Sequence, residues 1–295
     1  MNANAFVLSL LFGSVVIFCV FVGSWKHESF VNDNIKPVIF SIAKYEQKYI
    51  KEYVTYHLSI GFETIYLYDN EDVPTYAPLL AEFGDKVYVV HMPGPTKQYE
   101  AMECFTKNIM PNSNFTHVIN LDCDEFVVLK QHDNIQEFIR EYIKDDCAGI
   151  AINWRFFGDS GNQVATDDPL MLRFTKCEEA GNHHVKTLFD KRYFLEFNTM
   201  HNIIVKPGYY IKSTNGTVVD SPWNDDIDLS VVQINHYKTK TRPEFQHIRT
   251  RGRADINQLA SSDQVNIDFD FYNRNEIDDF TGFNYYMQNL QKGIF

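Results

Sequence analysis

Three carboxyl groups fall within four residues at the end of an apolar run: Asp122, Asp124 and Glu125 in "VINLDCDEFVVL" (118–129). Val118, Ile119 and Leu121 read as core, and the chain turns apolar again at Phe126. Carboxylates beside a core are costly unless a cation or a set of donors meets them. On an extended segment side chains alternate, so Asp122 and Asp124 are expected on one side and Cys123 on the other. Two carboxylates converging at a strand end suit a hard divalent cation, Mg2+ or Mn2+, usually shared with phosphate oxygens. A solvated turn, or pairing with a nearby Lys or Arg, accounts for the same triplet, so D-x-D alone does not decide.

The elements that must position these acids alternate in type. "PVIFSIA" (37–43) is an apolar run; Ile50, Tyr53, Val54, His57 and Leu58 then recur at helical spacing up to Gly61. "TIYLYD" (64–69) and "KVYVVHM" (86–92) read as strands, with a helix on Tyr76, Leu79, Leu80 and Phe83 between them. Met102, Phe105 and Ile109 mark another helix, "HVINLD" a fourth strand, "IQEFIREYIK" (135–144) a helix and "GIAINWRFFG" (149–158) a strand. Repeated strand–helix–strand units predict an α/β domain with a mainly parallel central sheet and helices on both faces. Ligands of such sheets bind beyond the carboxyl ends of the strands. Ser41, Lys44, Asp69, Asp122 and Asp124 all follow strand ends, so they are expected on one rim. Neither G-x-G-x-x-G nor a P-loop occurs, which excludes an ordinary dinucleotide-binding dehydrogenase and a P-loop NTPase.

The second half is less regular. A strand pair is expected around "HHVKTLFDKRYF" and "HNIIVKPGYYI", followed by the acidic loop "DSPWNDDID" and the strand "SVVQINHY". Thr241 before Pro243 and Glu244 marks a helix start, Gly252 its stop, and a last helix lies near 275–291.

Composition bounds the rest. The 295 residues are 44% hydrophobic and 22% charged, enough for real cores, and the formal net charge of −12 argues against a nucleic-acid partner. No charged side chain occurs from Met1 to Trp25, a stretch long enough to span a bilayer. It is read as a transmembrane signal-anchor (1–25) before a linker (26–36), because it lacks a basic start and exceeds the apolar core of a cleaved signal peptide. Outside it, Cys104, Cys123, Cys147 and Cys177 match no zinc spacing, and both disulfides and reduced thiols remain open. Sequons at Asn114 and Asn215 favour a lumenal side.

Six motifs in order make the reading specific: "AKYEQKYIKEYVTYHLSIGFETIYLYDN", "VINLDCDEF", "INWRFFGDSG", "LRFT" with "VKTLFDKRYF", "MHNIIVKPG" and "INHYKTKTRPEFQHIRTRGRAD". From about residue 37 to 255 the chain resembles glycosyltransferase family 92. The resemblance implies a membrane-anchored, inverting, metal-dependent GT-A glycosyltransferase that moves galactose from UDP-galactose to a glycan or glycoprotein acceptor, single-pass in the Golgi or ER with the catalytic domain in the lumen. One domain (37–295) is then expected, its nucleotide-sugar half at about 37–158 and its acceptor and metal-closing half at about 159–295.

Carried over by position, Asp122 and Asp124 resemble the metal–diphosphate D-x-D, and Glu125 orients its neighbours. His236 of "INHY" resembles the returning third ligand; a nitrogen in an oxygen shell favours Mn2+ over Mg2+. Asp69 resembles the acid that reads the uracil edge or ribose, and Ser41, Lys44 and Glu46 the first loop against the nucleotide. The family commonly has K-N-E where this chain has Lys44-Tyr45-Glu46. Lys186, Lys238, Lys240 and Arg251 are candidate diphosphate partners, since departing UDP carries charge that cations stabilise. Inversion also needs a general base at the acceptor hydroxyl; Asp159 is the first candidate, with Glu178, Glu179 and Asp226 as alternates, although the family usually has Ser at 159. Trp154 and Trp223 are candidates for stacking on a sugar, or core aromatics.

Two rival readings stand beside this one. One is a catalytically inactive, membrane-tethered glycan-binding protein of the same fold. The other is a nucleotidyltransferase, which the glycine-free "SIAKYEQ" disfavours.

Overall fold

The computed structural model describes residues 34–250, 252 and 260–293. The expected membrane anchor, most of the linker and Arg251 lie outside the described residues. Among those described, no helix is long and apolar enough to cross a membrane.

Strand β1 (Pro37–Ala43), helix α1 (Ile50–Ser59) and β2 (Thr64–Asp69) open the domain as the periodicity predicts. A short α2 (Tyr76–Leu79) passes into a 3-10 turn before β3 (Val87–His91); α3 (Gln98–Cys104) follows, then β4 (His117–Asn120) and β5 (Glu125–Leu129). Helix α4 (Ile135–Tyr142) starts at Asn134, whose side chain accepts from Glu137 N–H. It leads to β6 (Cys147–Phe156), buried along its whole length. Next come α5 (Leu170–Arg173), β7 (Lys176–Cys177), β8 (Asn182–Asp190), β9 (Phe194–Phe197), β10 (Ile203–Val205), β11 (Tyr210–Lys212) and β12 (Val232–His236). The chain closes with α6 (Arg242–Arg249), α7 (Ser262–Tyr272), β13 (Ile277–Asp278) and α8 (Thr281–Gln291). Thr241 caps α6 in a reciprocal box with Glu244, the signal read from the sequence.

The central sheet runs β3-β2-β1-β4-β8-β6-β12-β5, with β11 also on β6. Parallel pairing joins β1 to β2 and β4, β2 to β3, and β6 to β11 and β12. Alternate residues of β1 supply both faces: Ile39 and Ala43 pack with α1 and α4, Val38 and Phe40 with Met102 of α3 and Phe105. Helices therefore cover both sides, as expected.

Two expectations are refined. The sheet, parallel at five pairings among the described residues, is also mixed: β8 runs antiparallel to β4 and β6, and β5 antiparallel to β12. And the strand pair expected with the "HNIIVKPGYYI" segment is made by β9 and β10, while β8 itself sits in the middle of the central sheet. The cause is burial, since Val185 through Asp190 are all buried and only a central position covers both faces of that run. Cys104, Cys123, Cys147 and Cys177 are free thiols, so the disulfide alternative is not realised.

Candidate active site

The D-x-D residues occupy a turn, not an extended segment. Glu125 N–H donates to the Asp122 carbonyl at 3.0 Å, and β5 begins at Glu125. The two aspartates therefore face different partners instead of sharing one side. Strand β12, antiparallel to β5, sets His236 directly opposite Glu125 and donates Tyr237 N–H to the Asp124 carbonyl.

Asp122 faces Lys186. The Lys186 Nζ lies 3.3 Å from Asp122 Oδ2 and 3.4 Å from Glu125 Oε2, with no exposed surface. Burial opposes its charge, but the two carboxylates outweigh that and hold the ammonium above the ordinary lysine value. Burial also works to raise the Asp122 carboxyl; the Lys186 charge wins and pulls it down. Glu125, wholly buried, accepts the Asp122 N–H at 3.0 Å through Oε2, the oxygen that also faces Lys186.

Asp124 faces His236 and Lys240. His236 Nε2 is 3.5 Å from Asp124 Oδ1, and its Nδ1 is 4.0 Å from Glu125 Oε1. Neither that Nδ1 nor that Oε1 has a hydrogen-bond partner. Burial lowers the His236 pKa despite Asp124, so the ring is a neutral imidazole, held edge-on to Trp154 at 4.5 Å. Lys240 Nζ, also fully buried, is 3.6 Å from Asp124 Oδ2, makes no hydrogen bond, and lies 4.9 Å from the Tyr49 ring centroid. Its backbone φ of 53° is unusual for a residue with a side chain, a strain of the sort found at functional sites.

Among the described residues, no three His, Cys, Asp or Glu side chains meet as a metal cluster. Asp124 and His236 come together; Asp122 is turned to Lys186. The donor set still fits a divalent cation. Two carboxylates and one neutral imidazole suit Mn2+ or Mg2+. The orphaned Nδ1 opposite Glu125 matches the way a ligating histidine is held, one nitrogen on the metal and the other on a carboxylate.

The first-loop residues are placed unevenly. Ser41 is buried, bonded to the Tyr53 hydroxyl at 2.7 Å, and Lys44 Nζ is 3.3 Å from Asp72. Glu46 N–H donates to the Tyr76 hydroxyl. Tyr45, the departure from K-N-E, stacks on His247 at 5.5 Å and lines a cavity of about 410 Å3 with Lys48, Tyr49 and Glu244. Asp69 corrects its expectation: it is fully buried, and its oxygens accept from the backbone N–H groups of Glu71, Thr75 and Tyr76. Its carboxylate holds the loop after β2 instead of offering an edge to a base. Lys238 lies over the Tyr272 ring at 3.9 Å.

The four candidate bases separate. Asp159 accepts from Gly161 N–H and Asn275, and Asp226 from Asn215 and Thr217, both fastening loops. Glu179 is exposed, and its carbonyl accepts from Arg155. Glu178 is buried, accepts from Phe156 N–H at 2.8 Å, and burial raises its pKa. The Phe156 ring lies 5.1 Å from His236, so among the four candidates Glu178 holds, by its bond to the Phe156 N–H, the strand residue that packs on His236.

His184 and His201 were not foreseen. His184 stacks on Trp154 at 5.0 Å and His201 meets the same ring edge-on at 5.1 Å. Burial first, then neighbouring cationic groups, lower them to about 4 and about 3, so both are neutral at pH 7. Their Nδ1 atoms bond Asn182 Oδ1 and the Val185 carbonyl, which leaves each Nε2 an acceptor. For His184 the signal was present in "HHVK" but became readable only once β8 was central, because Asn182 pairs with Trp154 at the end of β6.

One buried network braces this side. Arg173 donates to both Glu244 oxygens, at 3.0 and 2.7 Å, and Tyr49 donates to the same carboxylate. It ties α5, α6 and the loop after β1 together, and so fixes the Lys240 segment.

The model of glycosyltransferase family 92 matches residues 35–274. Among solved structures, TarS 1–349 from S. aureus is 11% identical, covering 80% of this chain and 69% of that one, with a TM-score of 0.35. A protein assigned as a glucose-1-phosphate thymidylyltransferase from Bacillus anthracis is 10% identical, covering 53% and 71%, with a TM-score of 0.32. No curated protein sequence matches the chain.

Proposed function

The chain belongs to glycosyltransferase family 92, and on that premise we propose that it transfers galactose from UDP-galactose to a glycan acceptor, with inversion, using Asp122, Asp124 and His236 to hold a divalent cation. The observation that carries this reading is the neutral His236 imidazole, with one nitrogen 3.5 Å from Asp124 and the other facing Glu125. A bound Mn2+ or Mg2+ would screen the donor diphosphate and act on it as a Lewis acid.

The remaining chemistry falls to side chains. Lys186 and Lys240 put two buried ammonium groups beside the D-x-D turn. There they stabilise the charge that builds on UDP as its bond to the sugar breaks, an effect strengthened by exclusion of water. Lys238 contributes at longer range. Glu178 takes the proton from the acceptor hydroxyl as that oxygen attacks the anomeric carbon from the face opposite UDP; its raised pKa suits a base. Glu178→Gln is then expected to lower kcat by roughly 100-fold or more, the usual worth of a general base, with donor KM little changed.

The overall test is UDP release from UDP-galactose, with NMR of the product to read the anomeric configuration. Release without transfer, or retention, contradicts the mechanism. Anchoring by residues 1–25, with the catalytic domain in the Golgi or ER lumen, belongs to the same proposal. Protease protection in microsomes tests it; full digestion of the domain in sealed vesicles overturns it.

A further inference from the structure

Resting on the transferase reading, we infer that Trp223 is the stacking platform for a neutral acceptor sugar. The start of β8 lies at the carboxyl end of β6, where Asn182 pairs with Trp154, so His183 and His184 stand on the rim that carries the D-x-D turn. Trp154 is buried among His184, His201 and His236, and its Nε1 has no hydrogen-bond partner. Trp223 is joined to this group through a backbone bridge to His184, and its ring lies 6.3 Å from both His183 and His184. The aromatic rings thus run without a gap from His236 outward to Trp223.

Trp223 is 52% exposed, and its loop is held on both sides. Asn224 N–H donates to the His183 carbonyl at 2.7 Å, and Asn153 and Asn224 exchange hydrogen bonds. Trp223 N–H and carbonyl both meet the Ser221 hydroxyl. A large apolar ring kept in water on a fastened loop, at the mouth of a polar site, is poorly explained by packing; it is pre-organised for a ligand with an apolar face and a polar edge. A pyranose has both. His183, 6.3 Å from the Trp223 ring, and Asp225, 3.4 Å from His183, are both exposed and placed to take the pyranose hydroxyls. Asp220, Asp225, Asp226 and Asp228 make the loop acidic, which disfavours uronic or sialic acids and selects a neutral glycan.

The test uses the full-length chain in detergent, with neutral N-glycans released from a glycoprotein as the probe acceptor. Glycan binding is followed by tryptophan fluorescence and transfer by UDP release. Trp223→Ala is expected to raise acceptor KM about three- to tenfold, the scale of one aromatic contact, with kcat and donor KM nearly unchanged, the mark of lost uniform binding. Trp223→Phe should recover most of the loss, and the fluorescence response to glycan should vanish in Trp223→Ala. Glycan binding by Trp223→Ala equal to the parent, or no glycan binding by the parent, overturns the inference. Glycan binding that depends on Trp223 while the parent releases no UDP supports the platform and overturns the transferase reading alone.

Discussion

His236 and Glu125 face each other across the β12–β5 ladder with Nδ1 and Oε1 4.0 Å apart, and neither atom has another hydrogen-bond partner. Two buried polar atoms left open at that separation are costly unless a small shift joins them. Joined, Nδ1 carries the proton, and in the proposed site Nε2 would turn its lone pair to a cation held with Asp124. Glu125 would then set the tautomer of His236 without itself holding the cation.

Glu125→Gln tests this relationship. It keeps the shape but weakens the acceptor, so the Mn2+ concentration for half-maximal activity should rise about 10- to 100-fold, as for lost outer partners of a ligating histidine. Activity at saturating Mn2+ should largely return. An unchanged Mn2+ requirement would remove Glu125 from this role.

Lys240→Met separates binding from stability. The ammonium is buried, lacks a hydrogen bond and sits 3.6 Å from Asp124. Removing one partner of a buried pair usually costs about 3–5 kcal/mol, because the other charge is left uncompensated; here that charge is Asp124, which a bound divalent cation would meet. The melting temperature should therefore fall without Mn2+ and hold with it, while UDP affinity falls. A large drop in stability with UDP binding intact would make Lys240 a structural cation.

Asp69→Ala should behave in the opposite way. Three backbone N–H groups lose their acceptor, which costs about 1–3 kcal/mol for a buried donor left open. Donor KM should stay put. If donor KM rises while stability is kept, Asp69 reads the nucleotide after all.

The Arg173–Glu244 pair carries a pH signature. Burial alone would raise the Glu244 carboxyl, but hydrogen bonds from Arg173, Tyr49 and Thr241 hold it far below the usual range. A depressed folded pKa means stability fully present above the unfolded value of about 4.3 and lost as pH falls through the folded one. Glu244→Gln should cost about 3 kcal/mol at pH 7, because Arg173 is left without its partner. Its melting temperature should also fall less than the parent's between pH 5 and 3. Parallel curves would show that other carboxylates govern acid unfolding.

What was legible in the sequence was local. The strand and helix periods up to Asp69 and the Thr241 cap each depend on neighbours within a few residues. What was not legible depended on distant partners. Lys186 was read as a candidate diphosphate partner; its own partners Asp122 and Glu125 lie some sixty residues upstream and become visible only when β8 enters the sheet. Asp69 shows the converse, since a buried acid at a strand end serves as readily to cap backbone amides as to read a ligand. His184 and His201 became site residues through Trp154, a contact that no spacing reports.

The central claim is tested most directly by UDP release from UDP-galactose with the full-length chain, in Mn2+ and in EDTA, for the parent and His236→Ala. Release in the parent should stop in EDTA and return with Mn2+. In His236→Ala it should fall roughly 100-fold, the upper end for loss of a metal-centre contact, with an unchanged melting temperature and a higher Mn2+ requirement. UDP release that persists undiminished in EDTA, or His236→Ala with the parent's rate and Mn2+ requirement, would contradict the three-residue site.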